Sequence, residues 1–501
     1  MFGNFFDSII LGASTAFTPQ NLLYCLLGVT LGNLVGVIPG IGALAAMSLL
    51  FPITFHLDPV AALVMLGGIY YGTSYGGSTA SILLNLPGMP SNAVTCLDGY
   101  PMARQGRAGV ALFMTTIASF VGSSIGIIIL MLFSPVISQF ALQFGPAEYF
   151  SLMVMGLVIA SLISEGSALK GLAMVVVGIL IGLVGMDMYT GSQRYTFGRL
   201  ELMDGVSLVA VAMGLFGVSE VIASIRNVGQ VKFTKKITLR SMLPTKDDMR
   251  RSWLPMLRGT GIGSFFGTLP GTGATVSAFM SYAVEKRLAK DPSRFGNGAI
   301  EGIAAPEAAN NASDQTSFIP TLTLGVPGNV NMAIVLGVLM VHGITPGPTM
   351  MVENANVFWG LIMSFWVGNV LLVLLNIPLI GIWVRVLLIP YHILYPTVLV
   401  FVCIGVYTIN NSPFDVMTVL VFGMAGYGMK LIGLPAAPLL LGYVLGPMME
   451  EEFRRAMLIN NGNFEIFISR PISLFFIIVT VSVLGWSIWS AFSRQKELAV
   501  G

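Results

Sequence analysis

The chain has 501 residues, of which 55% are hydrophobic and only 10% charged, and its formal net charge is +2. A soluble fold of this size cannot hide so much apolar surface, so the composition indicates a polytopic membrane protein. The small net charge, without a basic and aromatic strip, argues against nucleic acid as a partner. The first 103 residues hold no lysine or arginine, so we expect no cleavable signal with a basic start.

Long apolar runs recur along nearly the whole chain, and about 20 helical residues suffice to cross a bilayer. The runs do not alternate between apolar and polar residues as the strands of a transmembrane β-barrel do, so they predict helices. We therefore expect an all-α fold with about ten to fourteen membrane-entering segments. The unbroken runs are Ala108–Phe133, Tyr149–Ile163, Leu172–Met186, Gly205–Ile225, Phe358–Val384, Leu394–Tyr407, Val416–Met429 and Ile472–Ile488.

The basic residues suggest an orientation and a division into parts. Nine of the 25 lysines and arginines lie between Arg226 and Arg258, which marks that connection as cytoplasmic by the positive-inside rule. Tracing the spans in both directions from it gives a charge trace that places twenty of the 25 on the cytoplasmic side. The trace puts outside the N-terminal arm, the FHLDP loop and the loops 135–146, 187–204, 342–356, 410–415 and 450–470, and inside Arg104, Arg107, Lys170, Lys286, Arg287, Lys290, Arg294, Arg385, Lys430 and the C-terminal tail. The predicted parts are an N-terminal interfacial arm (1–21), a first transmembrane repeat (22–225), the cytoplasmic connection (226–252), a second transmembrane repeat (253–448), and a periplasmic loop with the last helix and cytoplasmic tail (449–501).

Two matched interruptions define the repeat. GVIPGIGA at 36–43 returns as GTLPGTGA at 267–274, and LPGMPSNA at 86–93 has a counterpart in VPGNVNMA at 326–333. The loop after the first copy of each motif carries the opposite charge bias from the loop after the second copy. We therefore expect two inverted repeats with broken helices or re-entrant hairpins, an arrangement typical of secondary transporters that bind at the membrane midplane.

Proline and glycine at the first pair of breaks predict hairpin tips between half-helices. Irregular backbone at membrane depth is tolerated only where it is buried in protein or lines a wet cavity. A tip presents amides that suit a carboxylate and carbonyls that suit Na⁺. The alternative is a proline-kinked helix packed through small residues. The residues of these tips predicted to bind substrate are Pro39, Gly40, Gly42, Pro270, Gly271, Thr272 and Gly273.

Polar side chains are concentrated in two further segments, 70–88 and 305–328, which are interpreted as the second break of each repeat. Hydroxyls, amides and carboxylates at membrane depth mark candidate binding residues. The predicted substrate-binding residues there are Thr73, Ser74, Tyr75, Gly76, Gly77, Ser78, Asn310, Asn311, Ser313, Pro327 and Gly328. The predicted ion-binding residues are Ser78, Thr79, Asn85, Glu307, Asn310, Asp314, Thr316 and Ser317.

The two carboxylates have alternative interpretations. Glu307 follows Pro306 and would satisfy free amides if a helix started there. Asp314 would face an aqueous vestibule. A separate motif, GTSYG at 72–76, matches the nucleophile elbow of α/β-hydrolases, but that motif needs a strand before it and a histidine in reach. We expect no enzyme activity, no cofactor and no metal beyond a coupling Na⁺ or H⁺.

Several motifs together resemble those of a known family. They are PGIGA, YGGSTASILLNLPG with LDGYPMARQG, FGPAEYF, LPGTGAT, APEAANNAS, FIPTLTLGVPG, NIPLIG and INNGN, and they run in order from about Leu22 to Asn463. In this the chain is similar to the large transmembrane (permease) subunit of the tripartite tricarboxylate transporters.

The resemblance implies a multi-pass permease of the bacterial inner membrane. It would import a carboxylate such as citrate by symport with an ion, commonly Na⁺. It also implies two partners, a periplasmic substrate-binding protein and a small four-span membrane subunit. Neither broken segment holds an arginine to grip a carboxylate, so amides, hydroxyls and a bound cation would have to serve. A channel, a stand-alone carrier and an intramembrane hydrolase are the alternative functions.

Overall fold

The structure is a computed structural model that describes residues 2–163, 167–187, 189–224, 237–387 and 391–500. Part of the connection, 226–236, lies outside the described residues. The first half forms the helices α1 (Phe2–Ala16), α2 (Pro19–Val37), α3 (Gly42–Thr54), α4 (Pro59–Leu84), α5 (Ala93–Met102), α6 (Ala108–Ala141), α7 (Pro146–Ile163), α8 (Ala168–Gly182), α9 (Leu208–Ala212) and α10 (Ser219–Ser224).

The second half continues with fourteen helices in its described part. They are α11 (Leu239–Met242), α12 (Lys246–Thr268), α13 (Gly273–Leu288), α14 (Glu301–Thr316), α15 (Phe318–Leu324), α16 (Val330–Val341), α17 (Met350–Glu353), α18 (Ala355–Asn376), α19 (Ile380–Val386), α20 (Tyr391–Asn410), α21 (Pro413–Leu431), α22 (Ala436–Ile459), α23 (Ile466–Ser469) and α24 (Pro471–Val500). The predicted part boundaries at 252 and 448 fall inside α12 and α22.

Strands play almost no part in the described chain, where β1 (Gly185–Met186) and β2 (Gln193–Arg194) form one short antiparallel hairpin. Four helical stretches of the described chain are long and apolar enough to cross a membrane, and seven shorter apolar helices accompany them. The predicted all-α, polytopic membrane fold is confirmed. The four long stretches are Pro19–Val37, Pro90–Ala141, Ala355–Asn376 and Pro413–Leu431.

The two Pro-Gly motifs interrupt the helices as predicted. Helix α2 ends at Val37 and α3 begins at Gly42, while α12 ends at Thr268 and α13 begins at Gly273. Both breaks use glycine in the left-handed region, with φ of 87° at Gly40 and 84° at Gly271. Residues with a Cβ resist this conformation, which is why glycine is needed there. The simple proline-kinked helix is therefore the wrong interpretation for both sites.

The polar segments, in contrast, are mostly helical. Residues 70–84 belong to α4, and the true second break begins at Asn85, whose φ is 57°. In the other half, α14 and α15 run with one tight turn to Gly325, whose φ is 68°. Helical backbone pairs its own amides and carbonyls, so these segments present their hydroxyls and carboxylates rather than free backbone to their surroundings.

The same close helix packing occurs in both halves. Glycines spaced by four on α2 and on α12 leave no room for a Cβ against the facing carbonyls, so the helix backbones touch. On α2, Gly28, Gly32 and Gly36 lie against Met65, Ile69 and Thr73 of α4. On α12, Gly259, Gly263 and Gly267 lie against Ala305, Ala309 and Ser313 of α14. Every member of the second set is 231 or 240 residues beyond its counterpart, so the sequence repeat is also a packing repeat.

Contacts between loops join segments that the charge trace puts on the same side. Those traced to the outer side are Gln20 with Asp58, His342 with the Thr54 carbonyl, Arg194 with Glu450, and Arg470 with Glu148. Those traced to the inner side are Arg107 with Asp248, Gln105 with the Asn297 carbonyl, and Lys430 with Glu220. Near the β1–β2 hairpin, which the charge trace puts outside, a hydrogen bond from the Tyr189 backbone amide and the charges of Arg194 and Arg454 lower the pKa of Asp187. Which side faces the cytoplasm stays a prediction.

Candidate functional site

The polar faces of α4 and α14 meet in the interior. Tyr70, Ser74 and Ser78 recur every four residues, so they lie along one face of α4. Glu307, Asn310 and Asp314 fall on one face of α14 by the same periodicity. All six side chains are buried. Helix α2 packs closely against α4, and α12 packs closely against α14, on sides away from these polar faces.

Asp314 is held by two hydroxyls of α4. The Tyr70 hydroxyl donates to Asp314 Oδ1 at 2.6 Å, and the Ser74 hydroxyl donates to Oδ2 at 2.5 Å. The side chain of Asp314 is only 1% exposed. It therefore does not face an aqueous vestibule, and that alternative is wrong. The carboxylate instead lies at the contact between the two repeats.

Glu307 has a larger set of polar neighbours. Ser78 donates to Oε2 at 2.7 Å, Ser119 donates to the same oxygen at 3.4 Å, and the Asn92 amide donates to Oε1 at 3.3 Å. Thr95 donates a further hydrogen bond to Oε1. Because α14 begins at Glu301, Glu307 lies in the second turn and does not cap a helix start. The carboxylate is thus bound by side chains of α4, α5, α6 and the second break.

Neither carboxylate has a basic partner. Every ion pair among the described residues joins other carboxylates to arginine or lysine. Hydroxyl and amide donors stabilise a buried carboxylate but leave its charge in place, and a buried charge without a counter-charge is costly. Glu307 and Asp314 are therefore buried acidic groups without a counter-charge in the described chain, and such groups take up either a proton or a cation.

Three asparagines beside the carboxylates keep unpaired polar atoms. Asn310 lies between Glu307 and Asp314 on α14, is 1% exposed, and has no hydrogen-bond partner in the described chain for either its oxygen or its nitrogen. The amide of Asn311 donates to Ser119 Oγ at 2.8 Å, while its oxygen is unpaired. Asn92 Oδ1 is also unpaired. Buried polar groups are rarely left without a partner, so these atoms are available to a ligand.

Hydrogen bonds connect both carboxylates to the second breaks. Asn92 reaches Glu307 directly from the first-repeat break. In the second repeat, Asn329 donates to the Tyr70 hydroxyl at 3.0 Å, and Tyr70 in turn donates to Asp314. The oxygen of Asn329 accepts the amides of residues 331 and 332 and so caps α16. Each break is therefore tied to one carboxylate through an asparagine.

The first and second breaks of each repeat also touch. The Gly271 amide donates to the Gly328 carbonyl at 2.8 Å. In the first repeat, a Cβ on Gly42 would lie 3.9 Å from the Gly88 carbonyl. Pro39 and Gly40, like Pro270, lie in these turns. Within each repeat, the first and second breaks therefore lie close together, and we call these segments the gathered breaks. No hydrogen bond between described residues joins one first-break tip to the other.

The remaining predicted residues lie at varied distances from this cluster. Hydroxyls that bond to nearby backbone carbonyls belong to Thr73, Thr272, Thr316 and Ser317. The Tyr75 hydroxyl donates to Asn369 of α18 at 2.6 Å, away from the carboxylates. Ser313 and Thr79 are buried, Asn85 ends α4, and Pro327 lies in the second break. Gly76 backs onto the Asn33 carbonyl and Gly77 onto the Asn92 side chain.

Several residues of the cluster were not predicted from the sequence. The sequence contains a signal that could have identified three of them. Tyr70 is the first residue of the polar segment 70–88, and Asn92 and Asn329 each follow a Pro-Gly break. Thr95 and Ser119 had none, because a single hydroxyl in an apolar helix normally bonds its own backbone. Only the packing of α5 and α6 against α14 brings them to Glu307.

The GTSYG motif lies in the middle of α4, with helix on both sides. A nucleophile elbow needs a sharp turn between a strand and a helix. Ser74 instead donates its hydrogen bond to Asp314. The geometry therefore gives no support to the hydrolase alternative.

Comparisons with known proteins give the family of the chain. A family model described as "Tripartite tricarboxylate transporter TctA family" matches residues 22–441. A protein of Agrobacterium vitis described as "Uncharacterized 52.8 kDa protein in TAR-I ttuC' 3'region" is 49% identical over 467 residues, covering 93% of each chain. Another from the same organism, "Uncharacterized protein in TAR-II ttuC' 3'region", is 53% identical over 211 residues, which are 42% of this chain and 87% of its own. No solved structure matches the chain.

Proposed function

The chain belongs to the tripartite tricarboxylate transporter TctA family, and from this premise we propose that it is the membrane permease of a three-component system that imports a carboxylate by symport with a cation. The observation that carries the proposal is the pair of buried carboxylates on α14, without basic partners, at the contact of the two repeats. A cation bound there lowers the cost of accepting an anionic substrate nearby.

The substrate carboxylate binds beside this cation region, at the gathered breaks around Gly271 and Gly328. The hydrogen-bond donors are the Gly271 amide and the amides at the start of α16, which in the structure bond to Gly328 and Asn329 and would transfer to the substrate carboxylate. The substrate class is a di- or tricarboxylate such as citrate, and the coupling cation is Na⁺ or H⁺. Cation binding first and anion binding second keeps the net buried charge small at every stage.

The two repeats have inverted topology in this proposal. Support comes from the loop contacts, since the loop after α3 is tied to His342 and the loop before α14 to Gln105, positions that the charge trace puts on opposite sides. The gathered breaks then move together, as a rigid body, against a scaffold of the remaining helices. This elevator-like movement rests on analogy with other hairpin-containing carriers.

A periplasmic substrate-binding protein delivers the carboxylate, and a small four-span membrane subunit completes the assembly in the bacterial inner membrane. These partners come with the family, whose description is tripartite. A channel or a stand-alone carrier differs in measurable ways, because a channel passes solute only downhill and a stand-alone carrier needs no delivery protein.

The test is uptake by proteoliposomes that contain the permease with both partners. Labelled di- and tricarboxylates are supplied with an inward Na⁺ gradient, with a pH gradient, or with neither. We expect accumulation above the external concentration for one carboxylate with one of the two gradients, and its loss when the binding protein is omitted. Equilibration without any gradient would instead identify a channel, and full accumulation without the binding protein would identify a stand-alone carrier.

A further inference from the structure

The two carboxylates occupy separate surroundings along α14. Asp314 is seven positions after Glu307, which corresponds to about 10 Å along a helix axis. The hydrogen-bond donors of Glu307 and those of Asp314 have no member in common. Two like charges at this distance in the interior do not share one counter-ion as a close pair does.

Unpaired buried atoms accompany each carboxylate. Beside Glu307, the Asn92 nitrogen donates to the carboxylate and to Ser78, and the Asn311 nitrogen donates to Ser119. The oxygens of both amides have no partner in the described chain, and that of Asn92 lies against Gly77. Asn310 lies between the two carboxylates, one helical turn from each, and its whole amide is unpaired in the described chain. We assign it to Asp314, whose other neighbours are only two hydroxyls. A hard monovalent cation binds to oxygen atoms, and an oxygen that accepts no hydrogen bond is available as such a ligand.

We infer that Glu307 and Asp314 form two distinct sites for monovalent cations, so that two cations accompany each imported carboxylate. The inference rests on the proposed function and adds the number of coupling ions and the residues that hold each one. The first cation site comprises Glu307, Asn92, Asn311 and the hydroxyls of Ser78, Thr95 and Ser119. The second comprises Asp314, Asn310 and the hydroxyls of Tyr70 and Ser74.

Each of the two sites is connected by hydrogen bonds to a different break. The first cation site includes Asn92, which belongs to the break of the first repeat. The second is joined to the break of the second repeat through Tyr70 and Asn329. On this inference each cation stabilises the break that its site contacts, so both cations are needed to stabilise both breaks. This arrangement requires two cations before the substrate moves.

The experiment counts cations bound to the purified full-length chain in detergent, without substrate, using radioactive ²²Na⁺. We expect two Na⁺ per chain for the unmodified protein, one for Glu307→Gln, one for Asp314→Asn, and none for the double variant. One Na⁺ or none bound by the unmodified chain, or full binding by the double variant, would overturn the inference.

Two further sets of variants keep the result interpretable. Ser78→Ala and Ser74→Ala retain both carboxylates and remove one hydroxyl ligand from one site, so each should weaken binding about tenfold at that site alone. Glu285→Gln is the matched control, because Glu285 is an equally buried carboxylate but is paired with Arg258 at 2.6 Å. It should leave two cations bound, even if it lowers stability.

This count is independent of transport. Two bound cations with no cation-driven uptake would refute the proposed symport and leave the two sites standing. Cation-driven uptake with a single bound cation would refute the two sites and leave the symport standing.

Discussion

At the scale of single residues, the contact between α4 and α14 is distinguished by buried hydroxyls, amides and carboxylates without basic side chains. Tyr70 has a central place because its hydroxyl both donates to Asp314 and accepts from Asn329. A buried donor or acceptor that loses its partner costs about 1–3 kcal/mol, more than the hydrogen bond contributes net. Small changes here should therefore have large effects.

Tyr70→Phe tests this connection. The variant removes one hydroxyl and leaves both Asp314 Oδ1 and the Asn329 amide short of a partner, so the free energy of unfolding should fall by about 1–3 kcal/mol. We expect cation-driven uptake to fall at least about tenfold, since 1.4 kcal/mol corresponds to a factor of ten. Initial uptake rates and thermal unfolding in detergent measure the two effects.

The matched control is Tyr71→Phe, at the next position of the same helix. Tyr71 is as deeply buried, and its hydroxyl makes no hydrogen bond to either carboxylate among the described residues. Uptake by this variant should stay close to that of the unmodified chain. Equal losses in the two variants would mean that the Tyr70 hydroxyl has no special role.

At the scale of helices, glycine spacing determines how the polar faces are presented. Backbone contact between α12 and α14 requires glycine at every fourth position of α12, and the same holds for α2 and α4. This close approach holds α4 and α14 each against its own partner helix behind the site. The repeated glycines thus support the site from a distance.

Gly263→Ala and Gly261→Ala form a matched pair on α12. A Cβ at Gly263 would lie 2.7 Å from the Ala309 Cα, whereas nothing lies within 4 Å of a Cβ at Gly261. Overpacking should lower the free energy of unfolding of Gly263→Ala by about 1–3 kcal/mol. Gly261→Ala should be neutral or up to about 1 kcal/mol more stable, because alanine favours helix. Chemical unfolding in detergent compares them, and equal stabilities would contradict the backbone contact.

At the scale of the whole molecule, two repeats exchange contacts across their breaks. Helix α13 of the second half packs against Pro90–Asn92 of the first, and α16 packs against α3. Each half therefore completes the surroundings of the other, and neither would bury its polar segment alone. Inverted topology makes such an exchange natural, because the two halves then meet at mid-depth from opposite sides.

Single cysteines test the inverted topology in intact cells. In a background that lacks Cys25, Cys96 and Cys403, we expect His56→Cys to react with a membrane-impermeant maleimide from outside. Lys290→Cys, at the equivalent loop of the second repeat, should react only after the membrane is permeabilised. Both positions are exposed, so access to the reagent depends on the side alone. Labelling of both from the same side would rule out the inversion.

The sequence by itself determined the class of the fold, the apolar helices, and the two Pro-Gly breaks, because these follow from local composition and backbone sterics. It also placed Glu307 and Asp314 among the candidates, since ionisable residues are rare in apolar runs. It was wrong about segments 70–84 and 305–324, where glycine and hydroxyl residues suggested irregular chain and tertiary packing keeps them helical.

Only the tertiary structure decided which polar groups meet. Tyr70 and Asp314 are 244 positions apart, and Thr95 and Glu307 are 212 apart, so no local pattern joins them. The physical reason is that a hydroxyl or an asparagine can bond to many kinds of group, so its identity does not predict its partner. The partner is set by which helices pack together, and here the glycines that let backbones touch set that packing.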